Sequence, residues 1–161
     1  MRNRLLLTSA TALALALPLA AEAGTTTTTI AVTATVPQAC TVAATAMAFG
    51  NYDPTTGTNG TSTITVNCVA SDSVTIDLDS GLHGTLSGAA TTRNMQVGGT
   101  NLNYQLYSNA ARTAVWATGT PNNVTGTANL QLISTVYGQI PASQTANPGA
   151  YTDTVTVTLT Y

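Results

Sequence analysis

The chain contains the stretch YTDTVTVTLTY at residues 151–161, and this stretch decides the fold class. Apolar side chains alternate with threonine, so one face of an extended chain would be apolar and the other would carry hydroxyl groups. A period of two residues is typical of a β-strand with one buried face. The stretch therefore predicts a terminal strand whose Val155, Val157 and Leu159 face a core, while the threonines face water.

The same alternation recurs along the chain, whereas helical periodicity does not. Alternating runs occur at residues 30–36, 64–68, 74–79, 102–107 and 130–132. Turn signals separate these runs, at Asp53-Pro54, Asn59-Gly60, Ser80-Gly81, Gly98-Gly99, Pro121-Asn122 and Asn147-Pro148-Gly149. Many short strands divided by such turns predict an all-β, antiparallel β-sandwich formed by one domain.

Charged residues make up only 6% of the 161 residues, and threonine is abundant in their place. The chain has four arginines and no lysine, which excludes a basic nucleic-acid-binding protein, because phosphate neutralisation needs clustered cations. A disordered solvating tail is excluded because such tails rely on net charge and lack Val, Ile and Leu. The charge pattern of a coiled coil is absent too. The composition indicates an exported or surface β protein.

Residues 1–23 have the parts of a secretory signal peptide. Two arginines precede a mainly apolar stretch at residues 5–20, and Ala21-Glu22-Ala23 is a small-x-small cleavage site. A membrane anchor is the alternative, since about 20 apolar residues can span a bilayer. Pro18 next to the Ala-x-Ala site favours cleavage. We expect a mature chain that begins near Gly24 and carries two arginines and five aspartates, a formal charge of −3.

The two cysteines, Cys40 and Cys68, follow this export signal. In an oxidising compartment such a pair most simply forms one disulfide. The enclosed loop of about 28 residues would then contribute on the order of 3 kcal/mol. A metal site is the alternative, but two cysteines and one distant histidine, His83, lack the four-ligand spacing of structural zinc. We expect a disulfide, no metal and no cofactor.

Two groups of residues suggest a chemical function. Asp77 and Asp79 lie two positions apart, and Asp79-Ser80-Gly81 matches the triplet of aspartic proteases, yet that chemistry needs two carboxylates that share a proton. We interpret both aspartates as solvent-facing residues near a strand end and expect no enzyme. The second group is a set of aromatic residues that could stack on a sugar, although aromatic side chains on strands are more often core residues. It consists of Tyr104, Tyr107 and Trp116.

A separate strand pattern precedes the first cysteine, in the segment 24–38. Apolar residues alternate there with small or polar ones, at Ile30, Val32, Ala34 and Val36. Pro37 cannot donate a ladder hydrogen bond, so it separates this pattern from the strand that follows. The amphipathic strand could pack onto its own domain or onto a neighbouring molecule, and the pattern alone leaves both open.

Several motifs, taken in order, resemble the spore coat protein U-like domain, the pilin domain of archaic chaperone–usher pili. They begin with Ala39-Cys40-Thr41-Val42 and Phe49-Gly50-Asn51-Tyr52-Asp53. The central ones are ITVNC at 64–68, IDLDSG at 76–81, RNM at 93–95, LNYQLY at 102–107 and Trp116. The closing ones are VYGQIP at 136–141 and GAYTDTV at 149–155. The motifs are spread over nearly the whole of the predicted mature chain.

This resemblance implies an immunoglobulin-like β-sandwich that lacks one strand and is completed by donor-strand exchange. Residues 39–161 would form the pilin domain and residues 24–38 the donor segment. The donor side chains would be Ile30, Val32, Ala34 and Val36. The acceptor groove would lie along the C-terminal strand, at Val155, Val157, Leu159 and Tyr161.

The resemblance also implies a function, namely a structural subunit of a surface pilus, or fimbria, that supports adhesion or biofilm formation. Its partners would be identical or related pilin subunits, a periplasmic chaperone and an outer-membrane usher, with no nucleic acid. The subunit would pass through the periplasm to the cell surface. Two alternatives are a secreted, monomeric carbohydrate-binding β-sandwich and a spore or cell-surface coat protein.

Overall fold

A computed structural model describes residues 23–161, apart from residues 70–71, 88–89, 120–122 and 129. Nearly all of the predicted signal peptide and the predicted turn at Pro121-Asn122 therefore lie outside the described residues. The described chain divides between Thr35 and Val36 into two units, and each is considered by itself.

The second unit consists of β-strands and their connections. In the described part of the chain the strands are β1 (Cys40–Ala44), β2 (Thr58–Cys68), β3 (Asp72–Leu78), β4 (Thr85–Ser87), β5 (Ala90–Val97), β6 (Thr100–Tyr107), β7 (Val124–Ala128), β8 (Gln131–Ile140) and β9 (Val157–Thr160). The described residues contain no helix long and apolar enough to cross a membrane. The prediction of an all-β protein is confirmed.

The strands form two antiparallel sheets. Six strands make one sheet in the order β1-β2-β8-β6-β5-β4, and three strands make the other in the order β7-β3-β9. β2 and β8 form the longest ladder, which runs from Thr58 opposite Ile140 to Asn67 opposite Gln131. At one edge of the larger sheet, a disulfide joins Cys40 to Cys68, so it ties β1 to β2 at the first paired position. The predicted antiparallel architecture is confirmed.

The hydrophobic core consists of side chains from one face of each sheet. Ile64 and Val66 from β2 are buried together with Ile76 and Leu78 from β3, as the alternation predicts. Trp116 is fully buried, and its indole N–H donates a hydrogen bond to the backbone oxygen of Ile76 at 2.8 Å. Burial of each large aliphatic side chain contributes roughly 1.5–3 kcal/mol before the entropy of ordering is subtracted.

Burial also decides the question of a sugar-stacking platform. Trp116 has no exposed surface and Tyr104 is only 6% exposed, so neither ring can stack on a ligand from solvent. Tyr107 is half-buried on β6. The expectation that strand aromatics are core residues is confirmed for Trp116 and Tyr104, and the alternative of a sugar-stacking platform is excluded for these two rings.

The C-terminal segment has the predicted faces but a shorter strand. Val155, Val157 and Leu159 pack partly buried against the core, and the threonines between them are exposed. The strand β9 begins only at Val157, because the residues before it follow a different path, on which Thr152 bridges Gln96 of β5. Tyr161 lies beyond the end of β9 and is 53% exposed.

One turn prediction is wrong. Asn59-Gly60 does not form a turn but lies within β2, where Gly60 pairs with Gly138 of β8. Both glycines leave space for larger neighbours: a Cβ on Gly60 would press on the Phe49 ring, and one on Gly138 would collide with Phe49 and Met47. Gly60 is therefore required for close packing rather than for a turn.

The N-terminal segment pairs with no strand in the single chain, so its donation to another subunit stays a prediction. The described residues 23–39 have no strand, and Ile30 and Val32 are 86% and 88% exposed. A strand needs the backbone hydrogen bonds of a neighbouring strand, and an alternating pattern does not supply them. The apolar face of residues 30–36 is therefore present in the sequence without a sheet to receive it.

The two faces of the C-terminal strand give a direct stability test. Val157 lies opposite Leu78 of β3, so Val157→Asp would place an unpaired carboxylate against the core at a loss of several kcal/mol. Thr160→Asp is the matched control, because Thr160 is exposed and lies opposite Thr75. Urea unfolding of the mature chain measures both variants. Equal losses for the two would show that the faces are assigned wrongly.

Candidate functional site

An opening leads into the core between two chain segments, residues 44–52 on one side and residues 149–155 on the other. It comprises two adjacent clefts of about 410 and 700 Å³, and we call them together the groove. The two clefts share part of their lining, namely Met47, Phe49, Met95 and Tyr151. The smaller cleft continues inward to core residues, namely Leu78, Tyr104, Leu106 and Val136. The surface of the smaller cleft is therefore mainly apolar, whereas that of the larger cleft is more polar.

Edge strands continue both walls of the groove. β1 is the last strand of the six-stranded sheet, and β9 is the last strand of the three-stranded sheet. The two strands contact each other, and the groove lies beyond this contact, between the residues that follow β1 and those that precede β9. An edge strand has a row of backbone N–H and C=O groups that no strand of its own sheet pairs. Next to the groove, β1 and β9 thus carry backbone groups that can accept another strand.

The first wall is held to β2 by hydrogen bonds that extend past the end of β1. The N–H of Thr45 donates to the oxygen of Thr63 at 2.9 Å, and the Ser62 hydroxyl donates to the oxygen of Thr45. The Phe49 ring then packs edge-on against Tyr104, with 6.1 Å between the ring centroids. These contacts place Met47 and Phe49 over the glycine pair of β2 and β8, where both remain only partly buried.

The second wall is held by two carboxylates rather than by a long ladder. Asp153 accepts a hydrogen bond from the N–H of Leu82 at 2.9 Å and another from the Tyr104 hydroxyl at 2.7 Å. Asp79 accepts one from the N–H of Thr156 at 2.8 Å. The segment is thereby fixed at Asp153 and Thr156 to the loop that follows β3.

A buried arginine, Arg93, holds the loop that follows β3 by hydrogen bonds to its backbone. Arg93 is 1% exposed, and its guanidinium donates to the backbone oxygens of Asp79, at 2.6 Å, and Trp116, at 2.8 Å. It also donates to the side chain of Gln105 at 2.6 Å. The planar donors of arginine suit such convergent acceptors, and a buried cation with these partners is satisfied rather than isolated. Burial lowers the pKa of Arg93 from its ordinary value.

The protonation states agree with these roles. Burial tends to raise the pKa of Asp79, but hydrogen bonds from Thr156 and Gly81 and the charge of Arg93 outweigh it, so the pKa lies below its ordinary value. Asp79 therefore stays ionised as an acceptor. Burial and the hydrogen bond to Asp153 raise the pKa of Tyr104, so its hydroxyl stays protonated as a donor.

The interpretation of Asp77 and Asp79 as solvent-facing residues needs correction. Both are half-buried, and Asp79 bonds to the backbone of the groove wall. The sequence offered no sign of this, since Thr156 follows Asp79 by 77 positions. Among the described residues, no three His, Cys, Asp or Glu side chains lie close enough together to hold a metal ion.

The predicted site residues lie in different places. Val155 lines the groove, whereas Val157 and Leu159 continue its wall as β9. Sequence reasoning missed the opposite wall, with Met47 and Phe49, and the contribution of Met95 from β5. The glycines of β2 and β8 were the available signal, because a glycine within a strand often marks a close approach of another group.

Comparison with known proteins assigns the family. Residues 26–158 match the Spore Coat Protein U domain, and the chain belongs to this family. It is 31% identical over 149 residues to Protein U of Myxococcus xanthus, in a match that covers 80% of each protein. The resemblance noted in the sequence is therefore confirmed.

The fold has a solved counterpart. The chain is similar to one in the crystal structure of the CsuC–CsuE chaperone–tip adhesion subunit pre-assembly complex from archaic chaperone–usher Csu pili of Acinetobacter baumannii. The TM-score is 0.60 at 21% identity, and the match covers 79% of this chain and 40% of that one. The chain thus spans about two fifths of that neighbour. The likeness supports the immunoglobulin-like β-sandwich.

Asp79 makes the stability of the groove wall depend on pH. Its folded pKa lies below the unfolded value, so its stabilisation is complete above the unfolded pKa and is lost as the pH falls through the folded pKa. We expect Asp79→Ala to lower the free energy of unfolding by about 1–2 kcal/mol at pH 7, because Asp79 is partly solvated. In urea unfolding, the deficit should shrink below about pH 4. A deficit that stays constant in acid would contradict this role.

Proposed function

We propose that this protein is a structural subunit of a chaperone–usher pilus and that another subunit donates the strand that fills its groove. The groove itself carries the proposal. It exposes core side chains beside two edge strands that contact each other, and an isolated domain gains nothing from such an opening. A strand laid into it would pair with free backbone on its edges and cover the apolar floor.

The energy of such a contact is substantial. Two or three aliphatic side chains buried in the groove contribute roughly 1.5–3 kcal/mol each before ordering costs. The added backbone ladder contributes further, at about 1 kcal/mol for each hydrogen bond. A donated strand therefore acts as part of the recipient's core rather than as a surface contact.

The N-terminal segment has the properties of the donor. Its apolar positions alternate, as they must if one face of a strand enters a groove. The residues concerned are Ile30, Val32, Ala34 and Val36. Residues 30–36 span about 23 Å when extended, which is an ordinary length for a β-strand. We therefore assign residues 24–38 to donation and residues 39–161 to the recipient domain.

Each subunit would give one strand and receive one. Such a head-to-tail contact does not close on itself, so identical or related subunits would build a filament. Before assembly a periplasmic chaperone would cover the groove, and an outer-membrane usher would pass the subunit to the cell surface. The structural neighbour, a complex of a chaperone with a tip adhesion subunit, supports a chaperone partner.

The pilus would act in adhesion or support a biofilm. The role of this chain within the pilus would be structural and not catalytic. A second candidate is an exported coat protein, which the match to Protein U over four fifths of both chains favours. Electron microscopy of producing cells separates the two, since a pilus forms discrete fibres and a coat forms a continuous layer.

Removal of the donor segment tests the proposal. With residues 24–36 deleted, we expect the domain to be recovered in complex with its chaperone but to form no fibres, because the neighbouring groove stays empty. The matched control deletes only residues 25–29, the threonine run, which leaves the alternating residues in place and should permit assembly. Fibres from the longer deletion, seen by electron microscopy, would contradict the assignment.

A self-filled subunit provides the converse test. β9 contacts β1, and the groove lies before β9 in the chain, so a copy of residues 24–36 added after Tyr161 through a flexible linker can turn back along β9 into the groove. We expect a monomer with a higher melting temperature than the unmodified mature chain and with no tendency to polymerise. Size-exclusion chromatography and thermal unfolding measure both properties. A fusion that melts no higher than the unmodified chain would show that the segment does not fit the groove.

A further inference from the structure

Two exposed apolar side chains lie beside the start of β1. Val69 is 55% exposed and Leu130 is 73% exposed. The N–H of Val69 donates to the oxygen of Ala39 at 3.0 Å, and the N–H of Cys68 donates to the oxygen of Leu130 at 3.2 Å. Val69 and Leu130 therefore belong to the same end of the domain, next to the point where the N-terminal segment joins it. We call this pair the apolar tip.

Leu130 is unfavourable in an isolated domain for two reasons. Its large apolar side chain is exposed, and its backbone has a φ of 70°, in the left-handed region. That region is unfavourable for a side chain such as leucine and suits glycine or asparagine better. Local strain of this kind often marks a functional position. A partner that covers the leucine would account for its presence.

The length of the connecting chain identifies the partner. Only residues 37–39 separate Val36, the last alternating residue, from Cys40 in β1. Four Cα–Cα steps reach at most about 14 Å. Pro37 also has a fixed φ and restricts the residue before it, so the connection is short and stiff. If Val36 lies in a neighbour's groove, as the proposed function requires, the rim of that groove must lie close to Cys40.

We propose that the apolar tip is a second contact between consecutive copies of this chain, packed against the rim of the neighbour's groove. This inference rests on the proposed strand donation. The contact would fix the angle between adjacent domains, which the donated strand alone leaves to three connecting residues. Few charges need to be desolvated at such an interface, because only 6% of the residues are charged.

Leu130→Asn separates this role from domain stability. Asparagine tolerates the left-handed backbone, so the self-filled monomer should melt at the same or a higher temperature. Fibres of the full mature chain, however, should bend more, with a shorter persistence length in electron micrographs. Val69→Thr, which keeps the shape of the side chain, should act in the same direction.

Two further variants complete the experiment. Leu130→Met keeps an apolar side chain on the strained backbone and should preserve fibre stiffness. Leu86→Thr removes another exposed leucine, from β4 at the opposite edge of the sheet, and should change nothing. Unchanged persistence length with both Leu130→Asn and Val69→Thr would overturn the contact while leaving strand donation intact. If the unmodified chain forms no fibres, strand donation itself fails and this contact with it.

Discussion

The unpaired backbone of two edge strands, β1 and β9, is the constraint on which the rest of the structure depends. These strands end their respective sheets and contact each other next to a groove that continues inward to core residues. A closed sandwich would cover such residues as Phe49 and Met95, which here stay partly buried. Unpaired backbone groups of edge strands and exposed apolar surface therefore occur together. A single added strand would pair with the first and cover the second.

An open groove needs walls that keep their shape without a strand between them. The disulfide of Cys40 and Cys68 fixes the strand β1, from which the first wall continues. Farther along this wall, the Phe49 ring packs against the glycine pair of β2 and β8. Carboxylates fix the second wall, because the residues before β9 have little ladder of their own. Arg93 anchors the loop that supplies one of them, and it sits in the core with its donors satisfied. Ionic hydrogen bonds thus replace missing sheet contacts.

Sequence alternation located β2, β3, β6 and the faces of the C-terminal segment, because a period of two is a local property of one buried face. It was less informative where the reason for a residue is distant. Gly60 was taken for part of a turn, whereas it makes room for Phe49. Residues 30–36 were taken for a strand, and their apolar face is real, but pairing requires a partner that the pattern does not name. The wall at residues 44–52 has no alternation and was missed.

By itself the sequence determined the all-β class, the pairing of the two cysteines and the apolar faces at residues 30–36 and 155–159. These follow from neighbouring residues or from the presence of two cysteines behind an export signal. Only the tertiary structure decided that β1 and β9 become sheet edges that contact each other beside one groove. It also decided that Asp79 holds Thr156, that Asp153 meets Tyr104, and that Arg93 is buried beneath them. These contacts join residues that are far apart in the chain, and no local pattern can specify a distance across the fold.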